Sequence, residues 1–207
     1  MLSLRDSLPN LRNNLRFLHA APGIGAIDIY TNNKILAKNI SFSDVTDYIN
    51  IAPGNHKLEI YKTGTTTNPI SDEDIVLIPG GTNTISLILQ ESELVTLNLH
   101  DGRVYNTQPS ISSNLRFINL SPNSPLLSLS VTTGTTLFNG VEYLETTNYY
   151  QLSARIYDFV LSSSTDSSFR KYIQNSNLEQ SDFYTLYIIG LVNETPRLGS
   201  LFLRDGK

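Results

Sequence analysis

The stretch "NLRFLHAAPG", residues 14–23, returns as "NLRFINLSPN" at residues 114–123. A phrase restated after 100 residues divides this chain of 207 into two copies, each near the size at which a sandwich can bury its own core. Both copies then pass a proline, Pro22 or Pro122, and reach an alternation: Ile27, Asp28, Ile29, Tyr30 in one and Leu127, Ser128, Leu129, Ser130 in the other. A period of two marks a strand with one buried face.

The correspondence continues at an offset of 101, with "NISFSDVTDY" (39–48) answering "GVEYLETTNY" (140–149), so that Tyr48 matches Tyr149. "HKLEIYK" (56–62) answers "YDFVLSS" (157–163), placing Leu58 and Ile60 opposite Phe159 and Leu161. The lead-in "APGN" of copy one is a turn signal, because Pro fixes φ and Gly admits the left-handed region. Copy two has "SARI" there, which predicts that the turn is not retained. "TNTISLILQ" (82–90) is set against "DFYTLYIIG" (182–190), and both copies end on Asp-Gly-basic, at 101–103 and 205–207.

Short strands, turn signals at close spacing and no sustained helical periodicity give an all-β chain: two tandem immunoglobulin-like antiparallel β-sandwich domains behind a short N-terminal arm. The expected divisions are an arm at 1–13, repeat 1 at 14–103, a linker at 104–113 and repeat 2 at 114–207. Phe17 and Phe117 are expected in the two cores, with Arg16 and Arg116 on the outer faces of the first strands.

Composition narrows the function. Charged residues are only 16% of the chain, and the halves divided at Arg103 carry 8 Lys/Arg against 11 Asp/Glu and 7 against 8. With both halves mildly acidic and no basic run, nucleic acid is not an expected partner. The stretch "MLSLRDSLPNLRNN" builds no apolar signal-peptide core, and no run approaches the ~20 residues that span a bilayer. Synthesis in the cytoplasm without a membrane span is the expectation. The absence of Cys removes disulfides and thiolate metal sites.

The residues "LRFLHAAPG", "AIDIY", "NISFSDVTDYINIAPGNHKLEIYKTGTTTNP" and, in the second copy, "LRFINLSPN" and "FYTLYIIGLV" resemble the tandem repeats of a family catalogued as domain of unknown function 4397, found mainly in spore-forming bacteria and their relatives. The resemblance runs over residues 14–207 and is tighter in copy one. It implies a pair of β-sandwiches and carries over no catalytic residue; for a spore former it is compatible with deposition on the spore surface. Copy two departs at polar positions, with Asn119 for His19, Ser128 for Asp28 and Asn148 for Asp47.

Candidate chemistry is sparse. His19 with Asp28 has the residue types of a general-base pair. The expectation is instead a strand histidine satisfied by a backbone carbonyl, with Asp28 facing solvent or capping a turn. Asp72, Glu73 and Asp74 have calcium-type oxygens, but consecutive residues on an extended chain alternate faces and are read as a solvated approach to "DIVLI". "PGGT" (79–82) reads as a hairpin turn, and His56 and His100 lie in strand-like context. No catalytic, cofactor or metal residue is assigned.

The expected function is therefore a non-enzymatic structural or interaction protein of a spore or cell-surface layer, associating with itself or with other surface proteins through sandwich edges and loops. The candidate interaction residues are Leu2, Leu4, Leu8 and Leu11 of the arm, costly to leave wet, and Tyr143, Tyr150 and Tyr172 from the Tyr-rich second copy. A glycan- or peptide-binding module, using the polar loops 63–69 and 162–168 and exposed tyrosines, is the alternative.

Overall fold

The computed structural model describes residues 12–102 and 111–206. Copy one contributes β1 (Asn13–His19), β2 (Ile27–Thr31), β3 (Lys34–Ile40), β4 (Ile49–Ile51), β5 (Gly54–Lys62), β6 (Ser71–Leu77), β7 (Thr82–Gln90) and β8 (Glu93–His100). Copy two contributes β9 (Ser112–Asn119), β10 (Leu127–Val131), β11 (Thr136–Val141), β12 (Tyr150–Ser153), β13 (Ile156–Ser163), β14 (Arg170–Asn177), β15 (Phe183–Ile189) and β16 (Gly199–Arg204). Each copy is a sandwich of two four-stranded sheets, ordered β4-β1-β7-β8 over β3-β2-β5-β6 and β12-β9-β15-β16 over β11-β10-β13-β14. The predicted two-sandwich, all-β architecture is present, with eight strands per copy among the described residues. One pair in each copy is parallel, β1 with β7 and β9 with β15; the other strand pairs are antiparallel.

Alternation explains the cores. Leu15 and Phe17 point inward with Ile85 and Leu87 against Ile27, Ile29, Leu58 and Ile60, and all eight are fully buried. Their counterparts Leu115, Phe117, Leu186 and Ile188 meet Leu127, Leu129, Phe159 and Leu161, and Phe117 stacks on Phe138 at 5.9 Å. Two local expectations are revised. "SARI" does keep the turn: two residues separate β4 from β5 and β12 from β13, and the matching side chains His56 and Tyr157 bond back to the carbonyls of Ala52 and Ser153 at 2.8 and 3.0 Å. "PGGT" is a crossing between sheets, not a hairpin, since it joins β6 to β7.

Leu18 and Ile88 on the opposite face are buried too, together with Leu99, Ile118, Leu120, Tyr187 and Ile189. This third cluster draws on both copies. The outer faces of the β1 and β9 sheets therefore pack on each other and are not solvent surfaces. The arm leucines Leu2, Leu4, Leu8 and Leu11, and most of the linker, lie outside the described residues.

Candidate functional site: a buried charge exchange between the copies

Arg16 and Arg116, expected on outer faces, are 5% exposed each because the other copy covers them. The parallel pairing sets Arg16 opposite Thr84 and Arg116 opposite Thr185. Arg16 Nε donates to Thr84 Oγ1 at 2.7 Å, while its Nη1 and Nη2 cross to copy two, reaching the Arg204 carbonyl at 2.8 Å and Asp205 Oδ1 at 2.6 Å. Arg116 does the same in reverse, from Nε to Thr185 Oγ1 at 3.0 Å, from Nη1 to the His100 carbonyl at 2.9 Å and from Nη2 to Asp101 Oδ1 at 3.0 Å. The arrangement has the reciprocity of a two-fold axis, although one chain supplies both halves.

Each carboxylate is completed from its own copy. Asp101 Oδ2 accepts from Thr84 at 2.6 Å and Tyr48 at 2.7 Å; Asp205 Oδ2 accepts from Thr185 at 2.5 Å and Tyr149 at 2.7 Å. The tyrosine oxygens then accept across the interface, Tyr48 from the Gly206 N–H at 3.2 Å and Tyr149 from the Gly102 N–H at 2.9 Å. Each guanidinium lies 4.7 Å from the ring centroid of the same copy's tyrosine. A Cβ on Gly102 would overlap the Phe183 ring of copy two, so this half of the Asp-Gly repeat needs glycine for close approach.

Two guanidiniums and two carboxylates balance in charge, which is the condition for burying ions without prohibitive cost. Burial pulls the Arg16 pKa down, but Tyr48, Asp101, Tyr187 and Asp205 outweigh it and leave the group raised. Burial and then the neighbouring Asp101 push Asp205 upward against the pull of Arg116 and Arg16. Burial also raises the Tyr48 and Tyr149 hydroxyls, which stay protonated and donate. Such a set can hold two surfaces in one register; its carboxylates, guanidiniums and hydroxyls are occupied by one another.

Arg16, Thr84, Tyr48, Asp101 and their second-copy counterparts were missed as a group in the sequence, though a signal exists. They retain their identities in both copies while His19 and Asp28 do not. Thr84 was hidden by register: the spacing is 100 at β1 and β9 but 101 at Thr84 and Thr185, which had set Thr84 against Tyr184.

His19 and Asp28 are bonded elsewhere, His19 through Nε2 alone, with its buried Nδ1 left without a partner. His19 is fully buried with Nε2 3.2 Å from the Gly25 carbonyl oxygen, as expected. Asp28, expected at solvent or capping a turn, is 2% exposed and holds two backbone segments: it accepts from the N–H of Asn39 at 2.7 Å, the N–H of Gly64 at 3.1 Å and the Thr63 hydroxyl at 3.1 Å. Those donors, with Lys38, lower its pKa against the opposing effect of burial. Asp72 pairs with Lys57 at 2.7 Å, whereas Glu73 turns to Thr96, accepting from its N–H at 2.9 Å and its hydroxyl at 2.5 Å. Among the described residues no three His, Cys, Asp or Glu gather as a metal site.

Burial lowers the His19 pKa, opposed by the Gly25 carbonyl and Asp44. The folded state therefore keeps the imidazole neutral where the unfolded chain, with a pKa of about 6.5, takes up a proton. That contribution to stability is complete above about pH 6.5 and is lost as pH falls below it. The thermal midpoint is expected to drop between pH 7.5 and 5.5 more in the wild type than in His19→Asn, the residue that copy two uses. Parallel pH slopes would remove His19 as the cause.

Among the interaction candidates, Tyr143 is engaged within the molecule, its hydroxyl donating to the Leu89 carbonyl of copy one. Tyr150 is 46% and Tyr172 63% exposed. No curated protein matches the sequence. The model of the family described as "Domain of unknown function (DUF4397)" matches at residues 13–130 and again at 113–206, so the chain belongs to that family and carries its domain twice.

Proposed function

We propose that the protein is a non-enzymatic structural or interaction protein, a building block of a spore or cell-surface layer that associates through sandwich edges and loops. The observation that carries this reading is that four of the seven exposed large apolar side chains among the described residues lie on sheet edges, while Ile156 is on the inner strand β13 and Ile78 and Ile111 are outside the strands. Ile35, Val76, Tyr150 and Tyr172 are 42%, 65%, 46% and 63% exposed and lie on β3, β6, β12 and β14, each an outermost strand of its sheet. An outermost strand presents unpaired N–H and C=O groups, and apolar side chains there favour pairing with another chain. The buried charge exchange supports the reading from another side, because a subunit that transmits register must itself be rigid.

Light scattering with electron microscopy tests it: the purified chain is expected to form species larger than a monomer, as filaments or sheets. A monodisperse monomer at all concentrations would sink the proposal. Deleting residues 1–11, which leaves β1 whole, is expected to reduce the assembled mass if the leucine-bearing arm adds to a neighbour's edge; unchanged mass would confine the arm to its own molecule.

Tyr172 favours a second reading. It borders, with Lys171, Ile173 and Leu198, a groove of about 330 Å³, and an exposed tyrosine ring can stack on a sugar. Binding to a glycan array that is lost in Tyr172→Ala would support this alternative, and an empty array would count against it.

A further inference from the structure

Each sandwich has an open cleft at the same end, and the two clefts differ in sign. In copy one the cleft, about 1050 Å³, lies between the start of β6 and the β7–β8 hairpin; its charged residues are Asp72, Glu73 and Glu93 against Lys62. The corresponding cleft of copy two, about 520 Å³, lies between the start of β14 and the β15–β16 connection, and carries Arg170, Lys171 and Arg197 against Asp166. Three carboxylates and one ammonium thus occupy a position where the repeat has three cations and one carboxylate. Most of these groups are exposed. The Asp72–Lys57 pair is open to water with both side chains 51% exposed, and Glu73 is bonded to Thr96.

We infer that the copy-one cleft docks the copy-two cleft of a second molecule of this chain. Like charge disfavours acidic cleft on acidic cleft and basic on basic, so the contact between molecules is acidic on basic. Made once between two molecules, this contact is heterologous and leaves one cleft free at each end, so it propagates into chains; made reciprocally, it closes a dimer. This deepens the proposed self-association by naming its surfaces, and it rests on that reading. It also explains why two copies that preserve a fold diverge in charge: a tandem of identical ends could not tell head from tail.

The test uses the full chain in three forms: wild type, Asp72→Lys/Glu93→Lys, and Arg170→Glu/Arg197→Glu, each checked for an unchanged circular dichroism spectrum. Sedimentation velocity is expected to give species larger than a monomer for the wild type at low salt. These should dissociate near 1 M salt, where the screening length falls to ~3 Å. Each charge-reversed form alone is expected to stay monomeric, and an equal mixture of the two to recover assembly, because every acidic cleft then meets a basic one. A wild type that is monomeric at low salt overturns both this inference and the self-association it rests on. Assembly of the wild type and of both variants alike overturns the cleft pairing alone and leaves self-association standing. Monomeric variants whose mixture stays monomeric also overturn the pairing.

Discussion

Arg16→Ala is expected to lower the unfolding free energy by about 3–5 kcal/mol, the range for removing one partner of a buried ion pair. The side chain is 5% exposed and bonds Asp205 Oδ1 at 2.6 Å, the Arg204 carbonyl and Thr84. With the guanidinium gone, the Asp205 carboxylate is buried 3.6 Å from Arg116, whose shorter contact at 3.0 Å is to Asp101. Asp205 then takes a proton or draws in solvent, and either response costs stability. The double variant Arg16→Ala/Asp205→Ala is expected to lose less than the sum of the single losses, because it removes the stranded charge along with its partner. Urea denaturation of the four forms reads this directly. A loss below about 1 kcal/mol for Arg16→Ala would assign the pair the energetics of an exposed surface bridge.

Phe117→Ala is expected to cost about 3–5 kcal/mol, the range for emptying an aromatic site in a packed core. The ring is fully buried between the sheets of copy two and stacked on Phe138. The more telling expectation concerns copy one, which the substitution does not touch. Leu18, Ala20 and Ile88 share a cluster with Ile118, Leu120 and Tyr187, and the guanidiniums are exchanged. Copy one therefore cannot keep its covered face when copy two opens. Hydrogen exchange at amides of β1 and β7 is expected to accelerate with that of β9 and β15, in one cooperative transition. Unchanged protection in copy one would mean that the sandwiches unfold independently.

Much of this fold is legible in the sequence. The repeated opening, the alternation at Ile27–Tyr30 and Leu127–Ser130 and the recurring Asp-Gly-basic gave the two sandwiches and the core positions of Phe17 and Phe117. The charge exchange was not read, for a physical reason. Alternation says that Arg16 faces away from its own core, but it is silent on what covers that face. A guanidinium beside Phe17 looks the same whether it meets water or a carboxylate 189 positions away. Asp28 was read as capping a turn, which its bonds to Thr63 and Gly64 match, but its hold on the Asn39 segment escaped, because a backbone N–H has no side-chain signature.

The crossing of the two arginines also sets a timetable. At about 5–20 residues per second, residue 205 follows residue 101 out of the ribosome by roughly 5–20 s. Through that interval the face of copy one bearing Arg16, Leu18 and Ile88 has no cover, while neighbouring nascent chains on the same message carry an equivalent face. Tethering favours the partner on the same chain, because a short covalent connection holds it at an effective concentration in the ~mM range. Joining the two copies in one chain thus favours the meeting of Arg16 with the aspartate of its own chain over that of a stranger.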